Sequence, residues 1–519
     1  MKKYILGIVL SLLAVVLVTS SVFADLPGTG WWSAIFVQNI GSDGGTFQME
    51  AFDSATSYGS ATFSFDFGQA LLYDPGKTPD YPTGPYVGFS SPLPGGFEGA
   101  VVLSASLPVA AISEIANFNN GTVGGGGTAS ARYQGMSSDM VDTILMVPTI
   151  KNNYSNHTTT LYVQAAGAEA DVTATFNMND GNSYSQNQVI DANEMFVFDP
   201  SAAGVPSTGC GFDTNVSPCY GSAEITSTSG PIAANVVEHP HIGSPAGYAL
   251  STRAQTPSDQ DTLIYHPTIK NDFYNKMTAG ASIMNVGIED ALVQIALTVT
   301  SVDSSSSAHV GDVYTDTQVI APGKSLLFSK WLNNLGGMPS GTFAAAVIES
   351  IDDATYDPQP LVGATNDKKN LKYVSGGGIT LYAGLADRNK TDTIAAPIVR
   401  ELMGDVTGGI TVQNVGTAPD KIIFEYYEYG TDNVYIFETT STIDVGEAVN
   451  TNRVSLGSDG GKFSIVSGFT SFSELGNKQF SLIVNSESGQ PIIGLVSENS
   501  ISDSRDMRNY ETINFSLIP

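Results

Sequence analysis

The sequence predicts an all-β chain of four tandem antiparallel β-sandwich (Ig-like) domains behind an N-terminal signal peptide. Three observations predict it. A short motif returns four times at the period of one sandwich domain. Apolar and polar residues alternate over short segments bounded by Gly, Asn and Asp. Helical periodicity is nearly absent.

The motif is Ile35-Phe-Val-Gln-Asn39-Ile-Gly41. It returns as Leu161-Tyr-Val-Gln-Ala165-Ala-Gly167, Ser282-Ile-Met-Asn285-Val-Gly287 and Ile410-Thr-Val-Gln-Asn414-Val-Gly416. Positions 39, 165, 285 and 414 lie 126, 120 and 129 residues apart, far more than a solenoid unit and about one sandwich domain. An entry motif precedes it in three copies: Asp142-Thr143 with Pro148-Thr-Ile-Lys151, Asp261-Thr262 with Pro267-Thr-Ile-Lys270, and Asp392-Thr393 with Pro397-Ile-Val-Arg400. The first copy lacks it.

Downstream, Asp171–Phe176, Ala291–Leu297 and Lys421–Tyr426 alternate with period two, as half-buried strands do. A tight turn and an apolar strand follow, clearest in Ala321-Pro-Gly323 before Leu326-Leu-Phe328. Each copy closes with a strand pair around a short turn containing Pro108, Pro231, Pro360 or Pro491. Seven or eight strands without helices are expected to pack as two antiparallel sheets, each burying one face. The register sets the boundaries at 25–137, 138–257, 258–389 and 390–519. The Gly-rich stretch 119–128 reads as a loop within the first copy, and Ser301–Thr317 as an insertion in the third. Short linkers predict a semi-rigid string of domains.

With these motifs in place, the chain resembles a tandem repeat of about 120 residues found in uncharacterised secreted bacterial cell-surface proteins. The resemblance covers essentially all of the chain after residue 24 and is clearest over 141–240, where Glu238 ends the pattern. It implies a cell-surface location and brings no catalytic or binding residues with it.

Residues 1–24 read as a secretory signal: Lys2 and Lys3, an apolar run from Ile5 to Val18, then Val22-Phe23-Ala24 at the expected cleavage point. No later stretch is long and apolar enough to span a membrane as a helix, so attachment to the cell is expected to be non-covalent or through partners. The whole chain carries a net charge of −29; removing residues 1–24 leaves 20 Lys+Arg against 51 Asp+Glu, a net −31. That excess excludes nucleic acid as a partner. Cys210 and Cys219, in an exported chain, are expected to form a local disulfide.

Candidate chemistry is sparse. His239 and His241 alternate on an extended segment, as half of a metal site would, with no third ligand in view. His157, His266 and His309 occupy unmatched repeat positions. Glu114, Glu238 and Glu498 recur near the ends of closing strands and read as solvated edge charges. Asp43, Asn177, Asn179, Asp180 and Asp459 lie in Asp-Gly-type turns that could hold calcium, although none follows the EF-hand spacing. Trp31 and Trp32 are the candidate ligand-binding pair, because an exposed ring can stack on a sugar. No nucleophile elbow is present. The expected function is that of a non-catalytic structural or adhesive component of the cell exterior: a surface-layer-type, stalk or filament subunit contacting itself or other envelope proteins. Carbohydrate binding is the alternative, and a secreted hydrolase a weaker one.

Overall fold

The computed structural model describes residues 14–18 and 31–515, apart from 54–55, 61, 75–84, 92, 118–128, 212–215, 242–248, 275–276, 370–378, 405, 458–459 and 501–506. Lys2, Lys3, the cleavage point at Ala24, the Gly-rich stretch and Asp459 lie outside the described residues.

The chain is all-β, with strands over 59% of it and no helix of seven or more residues. One pairing scheme recurs along it. The entry strands Ile144–Tyr154, Leu263–Asn271 and Thr393–Glu401 pair antiparallel with the partner strands Tyr220–Ser227, Thr342–Ser350 and Lys478–Ser486. The motif strands Trp32–Asn39, His157–Ala165, Met277–Asn285 and Val406–Asn414 pair antiparallel with the closing strands Val109–Asn117, Ile232–Pro240, Leu361–Lys369 and Ile492–Ser500. In the second repeat the hairpin after Tyr154 joins all these strands into one eight-stranded sheet.

Both motifs have structural reasons. Pro148, Pro267 and Pro397 each sit where the ladder shifts register, between Val147 and Ile150, His266 and Ile269, and Ala396 and Val399. Proline lacks the N–H that a regular ladder needs, and a bulge accommodates it. The motif asparagine is a clasp: the Oδ1 atoms of Asn39, Asn285 and Asn414 accept from the N–H of Gly41, Gly287 and Gly416 at 2.8–2.9 Å. Their Nδ2 atoms donate to the carbonyls of Phe65, Ile320 and Ile443, pinning the next crossing of the chain. The second repeat has Ala165 instead, and Oδ1 of Asn193 from the neighbouring turn accepts from the Gly167 N–H at 2.9 Å. The third repeat's insertion lengthens the hairpin of Ala291–Val302 and Val313–Ile320.

The expected string of domains is corrected by the way the repeats pack. After each closing strand comes an axial strand: Ala129–Gln134, Leu250–Arg253, Ile379–Ala383 and Met507–Glu511. The first touches the second, the second the third, the third the fourth, and the fourth the first. The chain therefore closes into a ring about these four strands. Its seam is packed: Ala34, Phe36, Leu72 and Ile112 of the first repeat share one core cluster with Ile394, Ile410 and Tyr510 of the fourth. The same bond recurs at two junctions, where Ser222 Oγ donates to Gly323 O and Ser481 Oγ to Gly68 O.

Candidate ligand-binding cavity

The recurrent glutamates are not solvated edge charges. Glu114, Glu238 and Glu498 are at most 1% exposed, and Asp367 takes the same place in the third repeat. Each closing-strand carboxylate meets the cation that ends an entry motif: Lys151 on Glu238 at 2.8 Å, Lys270 on Asp367, and Arg400 on Glu498 at 3.5 Å. Buried charges persist only when paired in this way. The first repeat has no entry motif, and Arg132 of its axial strand lies 2.7 Å from Glu114 and 2.8 Å from Glu498. The guanidinium also lies over the Phe36 and Tyr510 rings. Burial would push the Glu114 carboxyl up, but Arg508, Arg132 and Arg400 together hold it down at about 2. Glu238 behaves alike: Lys151 and His157 outweigh burial and hold it at about 2.

One of these pairs opens onto a cavity of about 390 Å³ between the second and third repeats. Lys151, His157, Glu238, Tyr154 and Tyr220 form its second-repeat wall; Asn366, Lys368, Lys330 and Trp331 form the other. His157 Nδ1 lies 2.6 Å from Glu238, and burial, outweighing that carboxylate, lowers the imidazole pKa. Trp331 is 63% exposed, with the Lys330 ammonium 4.4 Å from its ring centroid. Lys330 is paired with Asp272. Lys368 has no ion pair among the described residues, and burial beside Lys151 lowers its pKa. In a strongly acidic chain, this recess combines an exposed indole, two tyrosines, an amide and an ammonium without an ion pair among the described residues. That chemistry suits an anionic ligand with an apolar face.

The candidates named from sequence fall elsewhere. Trp31 packs beside Ile115, Tyr133 and Tyr162, and Trp32 beside the shared core of the first and fourth repeats. Cys210 and Cys219 are joined in a disulfide, and they pack with Tyr154 and Tyr220, bracing the cavity wall. Asp43 accepts from Phe67 N, Asn177 from Ser183 Oγ, and Asp180 from Asn182 N and Nδ2. Asn179 Nδ2 donates to Ser325 O across the junction of the second and third repeats. Among the described residues no three His, Cys, Asp or Glu side chains group as a metal site would. His239 is buried, with Nε2 on Thr160 and Nδ1 on Pro240 O, and His241 bonds Thr158. The cavity has no local sequence signature because its walls come from two repeats; Trp331, which has no counterpart in the other copies, is the one signal for it in the sequence.

No family model matches the chain, and no curated protein matches it. Among solved structures, one similar chain is described as a tetra-tandem repeat in the extending region of a large adhesion protein. It is 10% identical, the alignment covers 98% of this chain and 99% of that one, and the TM-score is 0.10.

Proposed function

We propose that the chain is a non-catalytic structural or adhesive protein of the cell exterior, exported by its N-terminal signal. In this reading it is built from four Ig-like β-sandwich domains with the boundaries given above. One observation carries it: the closing-strand carboxylates and entry-strand cations that recur in the second, third and fourth repeats neutralise each other inside the ring, and the recurrent entry-motif aspartates Asp142 and Asp261 accept from the backbone N–H groups of Thr143 and Thr262. Their recurrence serves folding, so what the repeats share is a scaffold. A compact ring favours a surface-layer-type or adhesive unit over an extended stalk. Imaging the surface of cells with and without the chain tests this: loss of an ordered layer or of attachment on deletion is expected, and an unchanged surface with loss of a hydrolytic activity would sink it.

A second reading, glycan binding, is favoured by Trp331 at the mouth of a cavity containing Lys368. The ligand class is an acidic sugar, its ring face on the indole and its carboxylate on the ammonium. On a glycan array, binding to uronic or sialic acid glycans is expected, falling at least tenfold in Trp331→Ala and Lys368→Met. Binding unchanged in both variants, or none at all, refutes this use of the cavity.

A further inference from the structure

We propose that the first repeat is a strand acceptor, completed in the exported chain by an extended, uncharged apolar strand from a different protein. This rests on the export reading, since it concerns the chain after cleavage behind Ala24. The entry motif is missing from the first repeat, yet its place in the sheet is filled by residues of the leader, Ala14–Val18.

The filling is in register. Leu17 pairs with Val102 on one side and Met136 on the other. Met146 of the second repeat pairs with Glu224 and bridges Gln255. Tyr265 of the third lies between Val347 and Leu385, and Ala395 of the fourth between Ile483 and Ile513. Leu17 thus takes the lane position of three native entry-strand residues. Cleavage behind Ala24 removes it and leaves Val101–Ser104 and Met136–Ser137 on either side of an open lane. Unpaired backbone groups beside an apolar interior are costly, and a strand edge is a template for pairing.

The lane also defines its occupant. Five residues beyond Met146, Tyr265 and Ala395 come Lys151, Lys270 and Arg400, the cations that neutralise the closing-strand carboxylates. In the first repeat Arg132, Arg508 and Arg400 already surround Glu114, at 2.7, 3.6 and 3.7 Å. The incoming strand needs no charge there, and Ala-Val-Val-Leu-Val carries none. All described strands of this chain already lie in sheets, so a second copy has no described strand free to give. The donor is another polypeptide, bound by β-strand addition.

The test titrates the chain 25–519 with a fluorescent peptide of residues 12–21, Leu-Leu-Ala-Val-Val-Leu-Val-Thr-Ser-Ser. Saturable one-to-one binding, weakened at least tenfold by Leu17→Pro in the peptide, is expected, together with slowed amide exchange at Val101–Ser104. Absence of saturable binding overturns the proposal. Self-association of the peptide-free chain with those amides already protected would make the donor a second copy and overturn the foreign one. Intact mass of the native protein reads export separately: retention of residues 1–24 would refute export and the foreign donor, while peptide binding would still measure the lane.

Discussion

At the scale of single residues, Asn193 shows how the repeat tolerates change. It stands at the turn position that Gly323 and Gly446 hold elsewhere, with φ 66°, a conformation Asn adopts more readily than most residues. It also supplies the clasp that Ala165 cannot. Asn193→Ala is expected to cost about 2 kcal/mol, from one lost hydrogen bond and a strained backbone, and Asn193→Gly about half that. Denaturant midpoints of the two variants check the order; equal losses would contradict it. The buried carboxylates give a signed pH dependence. Glu114 and Glu238 are held at about 2, below the ordinary 4.5. Their contribution is therefore full above about pH 4.5 and drains away as pH falls toward 2, roughly 3 kcal/mol each. Glu238→Gln should lower the melting temperature at pH 7 and flatten the decline in acid. Glu401 has the opposite sign: burial, outweighing its bonds to Ser455, raises it to about 7, so its protonated state favours the fold at low pH and the benefit fades as pH rises through 7. Melting curves of Glu401→Gln at pH 5 and pH 8 should differ less than those of the parent. The recurrence of the glutamates was legible in the sequence. Their burial was not, because the cation facing Glu238 lies 87 residues earlier in the chain.

At the scale of elements, the strands were legible because their patterns are local. Outer strands such as Ala170–Met178 alternate buried and partly exposed positions, the period-two signature. Motif and closing strands do not: His157–Ala165 and Ile232–Pro240 are buried at every position, on both faces. Thr, Gln, Ser and Glu in these strands disguise that burial, and the expectation of one buried face per sheet therefore fell short. The entry strands allow a direct comparison. Pro267 occupies a bulge that requires no N–H, so Pro267→Ala should cost within about 1 kcal/mol, mainly by freeing the unfolded chain. Two residues on, Ile269 is fully buried, and Ile269→Ala should cost about 2–5 kcal/mol. Paired urea midpoints decide this; a larger loss at Pro267 would mean that the bulge depends on proline.

At the scale of the whole molecule, the repeat number and period were visible in the sequence and the closure was not. Short linkers suit a string as well as a ring. What selects the ring is complementarity between copies: the shared core of the first and fourth repeats, the serine-to-glycine bonds at two junctions, and the four axial strands in contact. None of these has a local sequence signature. Closure also explains why the first repeat recruits Arg132, Arg400 and Arg508 to Glu114, two of them from the fourth repeat. Small-angle X-ray scattering of the chain 25–519 at moderate salt tests the ring most directly. A closed ring predicts a radius of gyration within a few ångströms of the roughly 23 Å expected for a compact chain of this length; a value near twice that, with the scattering profile of a rod, would contradict it.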